Sequence, residues 1–156
     1  IGTGSLLMTY VHVSHNATVG DHAVLTSAAQ LGGHSSVGDR AVLGAGASLH
    51  QFVRVGSFAM VGAMSGLNRD ALPFSLVHGL FAEHYSLNRV GLKRSGLSGD
   101  RYRDIEQAFR LLRRRDRTGF EELARQSADA ALMLDFINGS SRGIAAFRRS
   151  GRGNDA

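Results

Sequence analysis

The 156 residues include no cysteine, so no disulfide framework can hold the fold, and redox chemistry says nothing about compartment. Aromatic residues are sparse, at 7%, and do not interleave with the basic ones, which argues against a nucleic-acid-binding surface. No apolar run approaches the roughly 18 residues of a membrane span, so no integral membrane segment is expected, and no signal-peptide pattern opens the chain. Acidic residues are outnumbered, 13 against 18 Lys and Arg, giving a formal charge of +5 and a pI near 10.7. That balance suits an acidic partner: nucleic acid, a phosphate-bearing substrate or an acidic protein. A hydrophobic content of 43% suffices for a core, as one elongated domain with a helical appendage.

What the sequence does have is a period. From Ile1 to Leu72 it reads as twelve consecutive hexapeptides, among them VSHNAT, LGGHSS, VGDRAV and LHQFVR. Position one is always Ile, Leu or Val, position five is always Ser, Ala or Val, and Gly holds position two in seven of the twelve. Chance spacing in an ordinary sheet protein does not keep two columns over that length. A short period sustained this way marks a solenoid, in which a repeat buries its apolar residue by stacking on its neighbours. Large aliphatics and small residues fill a narrow coil, and the glycines are expected at tight corners with positive φ. Three repeats per turn make a triangular prism of four coils, so residues 18 apart stack at roughly 4.8 Å. The chain opens at Ile1, the first position of a repeat, which reads as a piece of a longer solenoid whose cut end exposes strand edges.

The expected organisation is residues 1–72 as the β-helix, 73–97 as a loop region, 98–149 as a C-terminal helical domain and 150–156 as a disordered tail. Pro73, the one proline, stands where a thirteenth repeat would begin. From about Ser98 the apolar period becomes 3.6, with Ile105, Phe109 and Leu112 on one helical face beside Ala108. Thr118 with Glu121 reads as a capping box for a second helix. Leu132, Met133, Phe136 and Ile137 give a third helix its apolar side, ending near Asn138 and Gly139.

Five of the seven histidines lie in the repeats, at His12, His15, His22, His34 and His50, and none occupies position one or five. They therefore point away from the coil interior, and His22 is assigned to plain solvated surface. His15, Gly33 and Gln51 form one column, and Asn16, His34 and Phe52 the next. His50 adjoins Gln51, and His12 precedes His15 by three. Such a patch suits acyl transfer: a neutral imidazole takes a hydroxyl proton, and a backbone N–H one rung away, unobstructed at Gly33, receives an oxyanion. Zinc is the competing use of clustered histidines. The hexapeptide-repeat carbonic anhydrases use a pair five residues apart, which is absent here, so no metal is expected.

The segments YVHVSHNATVG, LGGHSSVGD, LHQFVRVG and GLKRSGL, with Asn88 before the last, resemble the acyl carrier protein:UDP-N-acetylglucosamine O-acyltransferases that begin lipid A synthesis. The likeness runs from Ile1 to about Phe147 and matches the C-terminal part of that family. It implies an all-β left-handed parallel β-helix followed by a C-terminal α-helical domain, in a cytoplasmic homotrimer with sites between subunits. It also implies transfer of a 3-hydroxyacyl chain from acyl carrier protein to the 3-hydroxyl of UDP-N-acetylglucosamine, with no cofactor. Carried over by residue, His15 is the general base and Gly33 supplies the oxyanion N–H. His12, His34, His50 and Gln51 line the sugar and acyl pocket, Asn88 and Arg94 face the nucleotide, and Ala63 sets acyl length.

The chain departs from that pattern at Asn16, where the family usually has Asp, at Ser95, where a second Arg usually follows, and at Val90, where Glu is common. Alanine in place of the family's frequent Gly at position 63 should favour a somewhat shorter chain. The run Arg113, Arg114, Arg115 and Arg117, with Arg101, Arg103 and Arg110, makes the helical part basic enough to dock an acidic carrier protein. The rival readings are another hexapeptide-repeat sugar acyltransferase, such as the later N-acyltransferase of the pathway, and a noncatalytic trimeric scaffold.

Overall fold

The computed structural model of the chain describes residues 1–149, and the tail expected over 150–156 lies outside them. Eleven strands of two residues each succeed one another at six-residue intervals. They are β1 (Leu6–Leu7), β2 (His12–Val13), β3 (Thr18–Val19), β4 (Val24–Leu25), β5 (Gln30–Leu31) and β6 (Ser36–Val37). β7 (Val42–Leu43), β8 (Ser48–Leu49), β9 (Arg54–Val55), β10 (Met60–Val61) and β11 (Gly66–Leu67) continue the ladder. Every third strand pairs in parallel, giving the faces β1-β4-β7-β10, β2-β5-β8-β11 and β3-β6-β9. The register is 18 residues, as in Leu6↔Val24 and Gln30↔Ser48. Position one is the second residue of each strand and points inward, where Leu25, Leu43, Val55 and Val61 are buried over Ala23, Ala41, Val53 and Ala59. Each such aliphatic contributes about 1.5–3 kcal/mol by leaving water.

The corners differ from the sequence expectation. Positive φ falls at position four, on Tyr10, Asn16, His22, Ala28, His34, Arg40, Phe52, Phe58 and Met64 as well as on Gly4 and Gly46. A left-handed residue costs about 1–2 kcal/mol. From His22 to Met64 each corner offsets that cost with a backbone bond to the coil before it, such as His34 N–H to His15 O at 3.1 Å. The position-two glycines serve another purpose. A β-carbon on Gly2, Gly20, Gly32, Gly38, Gly44 or Gly56 would lie 2.4–2.7 Å from backbone of the following coil.

The twelfth hexapeptide is not a full rung. Ala71 pairs with Val55, and Leu76 with Met60, at an offset of 16 rather than 18. Elsewhere on this face Thr18 N–H donates to Ser35 O and Ser36 N–H to Val53 O. Arg54 N–H instead meets Asp70 Oδ1 at 2.8 Å. The buried Asp70 carboxylate thus replaces the carbonyl lost with two residues. Ala71 takes the inward place, and Leu72 is buried in the helical core.

Residues 73–97, expected as loop, hold two strands and a helix. β12 (Ser75–His78) extends the first face and pairs antiparallel with β13 (Glu83–Leu87), and α1 (Arg89–Arg94) follows. Then come α2 (Gly99–Arg113), α3 (Arg117–Gln126) and α4 (Ala128–Asn138), packed around Leu92, Ile105, Phe109, Phe120 and Met133. The cap of α3 is Asp116, whose Oδ1 accepts Gly119 N–H at 2.9 Å, and not Thr118. Glu121 pairs with Arg117 at 2.7 Å instead of closing a capping box. On α4, Met133 is buried while Leu132 is 43% exposed, and Ala130 fills the core in its place. No helix among the described residues is long and apolar enough to cross a membrane.

Candidate active site

Three columns of side chains meet at the corner formed by the third, sixth and ninth repeats. They are Ser14, Gly32 and His50; His15, Gly33 and Gln51; and Asn16, His34 and Phe52. Backbone bonds fix the stacking, with His34 N–H on His15 O and Phe52 N–H on Gly33 O at 3.0 Å. The His15 ring meets the edge of His34 at 5.2 Å between centroids and 86° between planes. Phe52 stacks on the His34 ring at 5.0 Å and 14°.

His15 is oriented from both sides. Its Nδ1 lies 3.2 Å from Asn16 Oδ1. A carboxamide oxygen only accepts, so this contact places the proton on Nδ1 and leaves the Nε2 lone pair free. Nε2 faces Gly33, where a β-carbon would approach it to 2.8 Å. The glycine is thus the space in which the imidazole sits.

The Gly33 N–H is also open. At the same repeat position on another corner, Thr3 N–H donates to Asp21 Oδ1 at 2.7 Å and Asp21 N–H to Asp39 Oδ1 at 2.8 Å. The residue above Gly33 is Gln51, and Gly33 N–H has no acceptor among the described residues. An imidazole and an unused amide thus stand on adjacent rungs, groups of the kinds that can serve as a base and as an anion receptor.

His12 and His50 flank this corner and are exposed. His12 Nε2 contacts Ser14 Oγ at 3.0 Å, and His50 Nδ1 contacts Gln51 O at 3.3 Å. The remaining expected site residues stand elsewhere. Ala63 is exposed on the corner of the second, fifth, eighth and eleventh repeats, beside Met64 and one coil above Ala45 and Gly46. Asn88 belongs to the third corner, where its Nδ2 donates to Phe58 O at 2.9 Å and its Oδ1 caps α1 through Gly91 N–H. Arg94 is exposed on the last turn of α1, with no carboxylate in ion-pair range among the described residues. One chain therefore spreads the expected residues over all three corners. No group of three or more His, Asp or Glu able to hold a metal ion occurs among the described residues.

Two polar residues escaped the sequence reading. Ser35, buried beneath the His15 corner, donates its hydroxyl to Gly32 O at 2.7 Å; its only sequence signal is a hydroxyl in a column mostly of alanine. His84 is fully buried between the solenoid and the helices. Its Nε2 accepts Leu72 N–H and its Nδ1 faces Ala145 O, each at 2.9 Å. Burial, aided by the nearby charge of Arg113, pushes its pKa down to about 4 despite the backbone bonds. A histidine outside the repeats gives no periodic sign of such a place.

Residues 70–145 match the family described as UDP N-acetylglucosamine O-acyltransferase, domain 2. The acyl-[acyl-carrier-protein]:UDP-N-acetylglucosamine O-acyltransferase of Halorhodospira halophila is 43% identical over 150 residues, covering 92% of this chain and 58% of that protein. The enzyme of the same name from Rippkaea orientalis is 55% identical over 123 residues, 79% of this chain and 45% of the relative. Among solved structures, the UDP-N-acetylglucosamine acyltransferase of Campylobacter jejuni superposes with a TM-score of 0.86 at 31% identity, covering 95% of this chain and 60% of that one. The chain thus spans between 45% and 60% of the length of these relatives. Its fold is their left-handed parallel β-helix with a C-terminal helical part. On sequence and structure together, the chain belongs to the family of acyl carrier protein:UDP-N-acetylglucosamine O-acyltransferases.

Proposed function

We propose that this chain carries the catalytic corner of an enzyme that moves a 3-hydroxyacyl group from acyl carrier protein to the 3-hydroxyl of UDP-N-acetylglucosamine, in lipid A biosynthesis. The observation that carries the reading is His15 Nε2 standing free against Gly33, whose own N–H is unused. His15 Nε2 takes the proton of the glucosamine 3-hydroxyl as its oxygen attacks the thioester carbonyl. The carbonyl oxygen becomes an oxyanion held by Gly33 N–H. Collapse of that intermediate breaks the C–S bond, and the His15 imidazolium returns the proton to the departing carrier thiolate. Asn16 fixes the required tautomer but, being neutral, stabilises the imidazolium less than a carboxylate would.

The distribution of residues supports a homotrimer. His15, Ala63 and Asn88 lie on three separate corners, so a site holding all of them needs neighbouring copies to bring those corners together. The outward positions of the first face are Leu6, Val24, Val42, Met60 and Leu76, an apolar column suited to such an interface. In this reading His12, His34, His50 and Gln51 line the pocket, Asn88 holds α1 in place and Arg94 meets the nucleotide phosphates. The basic helical surface receives the acidic carrier protein.

The test is transfer from a panel of 3-hydroxyacyl carrier proteins to UDP-N-acetylglucosamine, with His15→Ala beside the natural sequence. Product esterified at the 3-oxygen, lost by orders of magnitude in His15→Ala at unchanged Tm, is the expected result. A folded trimer that yields no product from this acceptor moves the assignment to a scaffold or another sugar acceptor.

A further inference from the structure

The corner above His15 contains two consecutive glycines, the first demanded by neighbouring backbone and the second standing against the His15 ring. A β-carbon on Gly32 would lie 2.7 Å from Gln51 N and Leu49 O, and one on Gly33 would meet His15. Paired glycines are the least constrained backbone available, which suits poorly a peptide whose N–H must be fixed before a charge develops on the substrate. The plane carrying Gly33 N–H has Gly32 C=O as its other end. Like other position-two carbonyls, Gly32 O accepts the backbone N–H three residues on, from Ser35 at 3.2 Å. Here it accepts a second bond, from the buried Ser35 hydroxyl at 2.7 Å.

We infer that Ser35 is a positioning residue for acyl transfer: its buried hydroxyl pins and polarises the Gly32–Gly33 peptide so that Gly33 N–H meets the oxyanion as a fixed, strengthened donor. The inference rests on the reading of Gly33 N–H as the oxyanion donor. Two bonds on one carbonyl hold the plane against rotation, and a carbonyl that accepts strongly makes the N–H of the same peptide unit a better donor. Ser35 touches no reacting atom, so its effect must appear through Gly33.

Ser35→Ala is a clean probe, because alanine already occupies position five in seven of the twelve repeats. Removing an oxyanion donor outright costs about a hundred- to a thousandfold in kcat, so loosening one should cost about tenfold. KM for the UDP-sugar should stay within about twofold and Tm within a few degrees. Hydrogen exchange of the Gly33 amide, measured in the purified protein, should quicken several-fold, and Ser35→Thr should restore most of kcat. Ser5→Ala, which removes a hydroxyl bonded to Gly20 O on another corner, should change none of these. Unchanged kcat and unchanged Gly33 exchange in Ser35→Ala overturn the inference. So does a fall in kcat that tracks Tm with no change at Gly33, since that describes a merely structural serine. Failure of acyl transfer by the natural sequence would overturn the catalytic reading, and the inference with it, whereas the exchange measurement tests the pinned peptide by itself.

Discussion

His15 occupies the volume that a side chain on Gly33 would need: a β-carbon there would stand 2.8 Å from Nε2 and 2.9 Å from Cε1. Gly33 does not have positive φ, so its backbone accepts alanine, and the obstructing group is the end of a rotatable side chain. Gly33→Ala should therefore leave Tm within a few degrees while turning His15 aside, at a cost of about a hundredfold in kcat. His15→Ala combined with Gly33→Ala should be no worse than His15→Ala alone, because the second change acts through the first. Losses that multiply would show that Gly33 acts independently of the imidazole.

The columns of this site were legible because stacking at 18 residues turns sequence separation into spatial contact. His15 under Gly33 and His34 under Phe52 follow from that period alone. What the period hid were places where one side chain does a backbone's task. Asp70 supplies the acceptor for Arg54 N–H, so the chain drops two residues and the twelfth hexapeptide loses its register without any change in its apolar pattern. The cap of α3 was misread for a similar reason. Asp116 and Thr118 are both competent caps, and the helix starts at Arg117, which makes Gly119 the third helical residue and its N–H the one that Asp116 accepts. Asn88 was legible as a family residue but not as the pin on Phe58 O, a contact 30 residues distant.

Ala63 stands at an exposed corner above Ala45 and Gly46, a track of small residues beside the exposed Met64. Removing its methyl deepens the track by about one carbon, so Ala63→Gly should move the preferred acyl chain toward greater length. A profile of kcat/KM against chain length measures this directly. An unshifted profile would remove Ala63 as the length determinant.

The arginine run separates into structural and free members. Arg113 donates to Tyr85 O and lies over the Phe109 and Phe147 rings, so reversing its charge would damage the fold. Arg114 is exposed and makes no ion pair among the described residues. Arg114→Glu should therefore raise KM for the acidic carrier protein several-fold, with KM for the UDP-sugar unchanged. The difference should shrink as salt rises toward 0.5 M, a range in which exposed charges are screened over roughly 4–5 Å. Equal effects on both substrates would place the carrier elsewhere.

His84 makes the union of solenoid and helices sensitive to acid. Its ring is neutral in the fold, where it accepts Leu72 N–H and packs against Phe109 and Phe147, and the charge facing it is that of Arg113. The folded pKa of about 4 lies below the ordinary 6.5, so between those values the unfolded chain binds the extra proton. Stability is then complete above pH 6.5 and falls as pH drops toward 4, by up to roughly 3 kcal/mol. Urea unfolding from pH 8 to pH 4.5 should show that decline. His84→Gln, whose carboxamide cannot ionise, should be less stable at pH 8 through imperfect packing but should lack this part of the slope. Parallel curves for the two proteins would assign the acid sensitivity to another group. A flatter curve for His84→Gln would show that the same buried imidazole that joins the last coil to the C-terminal segment also sets the lowest pH at which they stay joined.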